Sequence, residues 1–114
     1  MQAVWVEIPV RNLERAAAFY QAVFQFQPTE IGDDGTRRTT TLVNTSPEGH
    51  AGISLDQTAN FEPGNHGPLV YMDAGEDLTN HLQRVEAAGG SIVEAKTSMG
   101  DAGYYATFED TEGN

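Results

Sequence analysis

The chain has 114 residues, with 6 Lys plus Arg against 17 Asp plus Glu, a formal charge of −11. That length suits one compact domain that buries a core without disulfides or a structural metal, and a 39% hydrophobic fraction beside 20% charged residues argues against wholesale disorder. So acidic a surface repels nucleic-acid phosphates and anionic lipid, and zero cysteines exclude disulfides, thiolate catalysis and thiolate metal sites.

No apolar run is long enough to span a bilayer, and the N-terminus lacks the basic-then-apolar layout of a signal peptide. A soluble, cytoplasmic domain with neither nucleic-acid nor membrane partners is the expectation. Residues Val4 to Val10 alternate, with Val4, Val6, Ile8 and Val10 on one face and Trp5 and Glu7 on the other, which predicts a half-buried strand. Asn12 offers an N-cap and Glu14 a first-turn charge. Leu13, Ala16, Ala17, Tyr20, Val23 and Phe24 then follow a helical period up to a break at Pro28. Thr39 to Asn44 and Ala51 to Leu55 read as strands, with turns at Asp33-Asp34-Gly35 and Pro47-Glu48-Gly49.

After the turn-rich Gly64 to Pro68 the plan restarts. Leu69 to Asp73 is strand-like and Glu76-Asp77 open a second helix. Leu78, Leu82, Val85 and Ala88 form its stripe, and Gly89-Gly90 end it. Ser91 to Ala95 and Gly103 to Phe108 supply further strands. Shifting the first helix stripe by ~65 positions superposes it on the second, which with the flanking strands points to a duplicated module. Module 1 covers about residues 1–62 and module 2 about 67–114. The second half stops at Gly113-Asn114, where a last strand should begin, so a further strand is expected beyond Asn114.

The segment from Val4 to Tyr20, with Asn12-Leu-Glu-Arg-Ala leading to Phe19-Tyr20, resembles the opening of the vicinal oxygen chelate superfamily. That group includes glyoxalase I, bleomycin-resistance proteins and extradiol dioxygenases. Asp110-Thr111-Glu112-Gly113-Asn114 is similar to its Asp-Pro-Glu-Gly-Asn hairpin, and Leu82 to Gly90 is also typical. The resemblance spans nearly the whole chain and implies an α+β fold of two βαβββ modules. Their strands curl into a mixed, U-shaped sheet around a ligand pocket, with helices on the outer face, and members usually dimerise.

The resemblance places the superfamily's metal ligands at Trp5, at Ser54, at Leu69 or Val70, and beyond Asn114. Indole, Leu and Val cannot coordinate a divalent cation, and a Ser hydroxyl is a poor ligand beside His or a carboxylate. No metal at the usual site and no cofactor are therefore expected. A divalent ion remains open only if its ligands lie at other positions or beyond Asn114.

Glu7 shares the Trp5 face, and a carboxylate beneath an indole in a partly dry pocket is a candidate general base. The plainer reading, a solvated or Arg-paired residue at a sheet surface, is the better founded on sequence alone. Asp73 is either a pocket residue sharing a face with Tyr71 or a simple strand-end Asp. Tyr105 and Thr107 alternate with Ala106 and Phe108, so one of those pairs faces the pocket. The candidate ligand-binding set is Trp5, Glu7, Ser54, Tyr71, Asp73, Tyr105 and Thr107. His50 and His66 read as exposed turn residues, His81 as a packing residue at the stripe's flank, and Arg37-Arg38 as salt-bridging rather than anion-binding. The Gly100 to Gly103 stretch lacks phosphate-loop spacing and is given no nucleotide role.

Three functions compete: a metal-free protein that binds a small cationic or aromatic molecule, a metal-dependent glyoxalase I-like lyase, isomerase or dioxygenase, and a regulatory module with a vestigial pocket. The first fits the missing ligands and the acidic charge, with a homodimer implied by the resemblance.

Overall fold

The structure, a computed structural model, describes residues 1–43, 49–75 and 77–114. The expected turn at Pro47-Glu48 and the helix-opening Glu76 lie outside the described residues. The elements run β1 (Trp5–Pro9), α1 (Leu13–Phe24), β2 (Gly32–Asp33), β3 (Arg37–Val43), β4 (Gly52–Thr58), α2 (Leu78–Ala87), β5 (Ser91–Ser98) and β6 (Tyr104–Glu109). A four-stranded curved sheet has the order β1-β4-β3-β2, and β5 and β6 form a separate antiparallel pair. β1 lies parallel to β4 in the register Trp5↔Gly52 to Pro9↔Asp56, while β3 runs antiparallel to β4. The fold is thus mixed α+β with helices packed on one face.

The N-cap of α1 is as the sequence predicts, with the Asn12 side chain accepting the Arg15 N–H at 3.0 Å. Leu13, Ala16, Phe19, Tyr20 and Val23 are its buried residues. Phe19 is the addition to the predicted stripe. Its ring stands 5.1 Å from that of Tyr20 and 5.9 Å from that of Phe108, so it serves the second half of the chain as well as the first sheet. Ile8, Val10, Leu42, Leu55 and Val85 complete the buried apolar core. In α2, Asp77 caps by accepting the Thr79 N–H at 2.8 Å. His81 packs as expected and is buried with Val85, its ring 5.6 Å from that of Phe24.

One predicted element does not form. Leu69–Asp73 reads as a strand but is irregular, because a strand needs a backbone ladder. β1 draws its ladder from β4, whereas no described strand pairs with 69–73. Conversely, the two-residue β2 forms at the entry to the predicted Asp33–Gly35 turn, since Gly32 and Asp33 pair with Thr39 and Arg38.

The Asp110–Asn114 hairpin fastens the two halves together. Asp110 accepts the Tyr20 phenol at 2.8 Å and the N–H groups of Glu112 and Asn114. Glu112 Oε1 accepts the N–H groups of Arg11 and Asn12 at 3.0 and 2.9 Å, which satisfies donors at the start of α1 that would otherwise be orphaned. Arg15 grips the same carboxylate with two hydrogen bonds. Burial alone would raise the Glu112 carboxyl, but Arg15, the Asn12 N–H, the Thr111 hydroxyl and the Arg11 N–H outweigh it and hold it at about 2.

Candidate functional site

The alternation of β1 turns Ile8 and Val10 into the helix-facing core and leaves Trp5 and Glu7 on the opposite face. There β4 contributes Ser54 and Asp56, and β3 contributes Arg37. A continuous polar chain links these side chains. The Trp5 indole N–H donates to Ser54 Oγ at 3.2 Å, and the Ser54 hydroxyl donates to Asp56 Oδ2 at 2.9 Å. Arg37 Nε lies 3.9 Å from Asp56 Oδ1. The Arg37 guanidinium then reaches Glu7 with two hydrogen bonds, 3.1 and 3.3 Å long. Glu7 is therefore Arg-paired at the sheet surface, the plainer of its two readings.

Ser54 and Asp56 are 3% and 1% exposed, whereas Trp5 is 43% exposed. The indole and the Arg37–Glu7 pair thus form the accessible layer, with the hydroxyl and buried carboxylate beneath. Ser54, expected among the ligand-contacting residues, lies under that layer because its hydroxyl is committed to Asp56. Neighbouring Arg38 points the other way, as alternation requires, and pairs with Glu14 and Asp33 near α1.

A broad open trough runs from Trp5 and Glu7 to Tyr71, Asp73, Tyr105 and Thr107. Phe108 packs into the core against Phe19 and Phe24, so Tyr105 and Thr107 take the other side of the β5–β6 pair. Both donate to Glu94, at 3.3 and 3.2 Å. The Glu94 charge and its hydrogen bond push the Tyr105 phenol above its usual range. The Tyr71 ring meets that of Tyr105 edge-on, with centroids 6.4 Å apart. Tyr71 is 62% exposed, so this aromatic corner faces open space. Asp73 is exposed and accepts the Gly75 N–H at 2.8 Å. It is a turn residue at the trough's rim, because its segment forms no strand face for it to share with Tyr71.

The chain matches the sequence profile of the Glyoxalase/Bleomycin resistance protein/Dioxygenase superfamily over residues 2–114. It belongs to that superfamily. Among curated proteins no sequence matches it. Its fold is similar to that of a glyoxalase I variant from Zea mays, with TM-score 0.66 and 17% identity over 96% of this chain and 42% of that one. A glyoxalase/bleomycin resistance protein/dioxygenase family enzyme from Burkholderia phytofirmans gives TM-score 0.64 and 21% identity over 100% of this chain and 94% of that one. A trypanothione-dependent glyoxalase I from Leishmania major gives TM-score 0.64 and 14% identity over 99% and 81%. This chain spans less than half the length of the Zea mays protein.

At the positions within this chain where the resemblance places metal ligands stand Trp5, Ser54 and Leu69 or Val70, none of them a His or a carboxylate. Indole nitrogen donates but cannot accept, and at Trp5 its hydrogen is directed at Ser54, the second ligand position. Leu69 and Val70 carry no donor atom. Among the described residues no group of three or more His, Asp or Glu could hold a metal. No described helix is long and apolar enough to cross a membrane. Asp56 is the site residue that sequence reasoning missed. The alternation of Gly52–Thr58 already set it on the Ser54 face, opposite Ile53 and Leu55.

Proposed function

We propose that this superfamily member binds a small cationic, aromatic molecule in its trough without a metal, sequestering it rather than converting it, as a homodimer in the cytoplasm. The observation that supports this reading is the Trp5–Ser54 hydrogen bond, which joins a donor-only indole to a committed hydroxyl at two of the positions where the resemblance places metal ligands. The half-exposed indole and the Tyr71–Tyr105 corner supply faces for stacking and cation–π contact. Glu7 and Asp56 against Arg37 leave the Trp5 end with one net negative charge, and the chain's −11 charge steers cations toward it.

A second reading, a metal-dependent glyoxalase I-like lyase, isomerase or dioxygenase, rests on superfamily membership and the fold neighbours. It would need Glu7 released from Arg37 to act as a base.

Two measurements separate the readings. Elemental analysis of protein purified without chelator, from the full natural gene, should find less than one transition metal per chain. One tightly held ion per chain favours the enzyme. A thermal-shift series with a cationic aromatic dye and its neutral and anionic analogues should stabilise only with the cation. Glu7→Gln should weaken that shift, and an unchanged shift removes Glu7 from the site. Light scattering that reports a monomer ends the dimer proposal.

A further inference from the structure

We infer that Arg37 is the resident cation of this site, a side-chain charge that performs the neutralisation a bound ion would otherwise perform. This rests on the metal-free reading above and names the residue that makes it self-sufficient. Asp56 is 1% exposed, and a buried carboxylate without a positive partner is costly. Among the described residues, Ser54 donates to it at 2.9 Å. The Arg37 guanidinium stands 3.9 Å away and also spans both oxygens of Glu7. A planar fork suits that bidentate contact, and a compact ammonium would meet only one edge of it. The register places the three residues on adjacent strands, with Glu7 opposite Ser54 and Arg37 opposite Thr58, so the guanidinium crosses over β4 to join β1. Without it, the Glu7 and Asp56 carboxylates would lose the cation they share, and carboxylate oxygens are the donors that hard divalent cations take.

The test uses Arg37→Ala, Arg37→Lys and wild type, each melted with and without millimolar Mn2+. Arg37→Ala should melt roughly 5–10 °C lower than wild type and recover at least half of that loss in Mn2+. Wild type should not respond, Arg37→Lys, whose ammonium meets only one edge of the contact, should respond less than Arg37→Ala, and Asp56→Asn added to Arg37→Ala should abolish the recovery. Should Arg37→Ala not fold, Arg37→Gln, which keeps the stem without the charge, is read the same way. A folded Arg37→Ala or Arg37→Gln protein indifferent to Mn2+ overturns the inference, as does an equal response in wild type. Failure of the cationic dye to bind wild type defeats the sequestration reading alone and leaves this result standing.

Discussion

The phenol of Tyr20 donates to Asp110 at 2.8 Å, joining the first helix to the hairpin that closes the second half of the chain. Tyr20 is 3% exposed, and burial, then the Asp110 charge, pushes its hydroxyl well above the usual phenol range. The proton therefore stays on tyrosine, and the interaction is a neutral donor serving a buried carboxylate. Tyr20→Phe keeps the ring but leaves Asp110 one donor short. We expect a loss of about 1–2 kcal/mol in urea unfolding. An unchanged midpoint would show that the remaining hydrogen bonds to Asp110 suffice.

Glu112 contributes to the acid limit of the fold. Its carboxyl is held at about 2 against an ordinary 4.5, so the folded state favours the ionised form. The stabilisation is complete above the ordinary value and is lost as pH falls through the folded one. Wild-type melting temperature should decline between roughly pH 4.5 and 2. Glu112→Gln should be about 2 kcal/mol less stable at neutral pH and show a shallower decline on acidification. Parallel curves for the two proteins would refute this.

Gly90 is fixed by contact. A Cβ there would stand 2.7 Å from the Glu109 carbonyl oxygen and 2.8 Å from Phe19 Cε2. Both neighbours are confined, one by β6 and the other by the core. Gly90→Ala should cost about 1–3 kcal/mol. A neutral result would mean that the junction of α2 and β5 yields more readily than these distances allow.

Ser54→Ala cuts the polar chain at its midpoint, stripping the Trp5 N–H of its acceptor and Asp56 of its hydroxyl donor. We expect about 1–3 kcal/mol of destabilisation. Binding of the cationic dye should weaken less than in Glu7→Gln, because Ser54 lies beneath the accessible layer. The reverse order would put the hydroxyl in direct contact with ligand.

The parts of the fold legible in sequence are those fixed by local pattern. The alternation from Val6 to Val10 and the Asn12 cap are reproduced, though Val4, expected on the buried face, is exposed, and the helix stripes are reproduced except at Phe19 and His81. Leu69–Asp73 has strand-like composition, which does not guarantee a ladder partner. β2 escaped notice because Gly32 and Asp33 are extended only through pairing with Thr39 and Arg38. At the site, face-sharing sets Glu7 beside Trp5, and the resemblance adds Ser54. Asp56 and the crossing reach of Arg37 depend on three strands meeting, which no single segment encodes. The duplicated helix offset, in contrast, put position 81 on the second stripe, and His81 is buried there.

The one tryptophan of the chain is Trp5, and its half-uncovered ring stands at the mouth of the trough with its N–H tied to the protein. The molecule therefore carries its own optical reporter. A compound settling against that ring changes the emission without any label, while unfolding elsewhere registers only when it loosens β1.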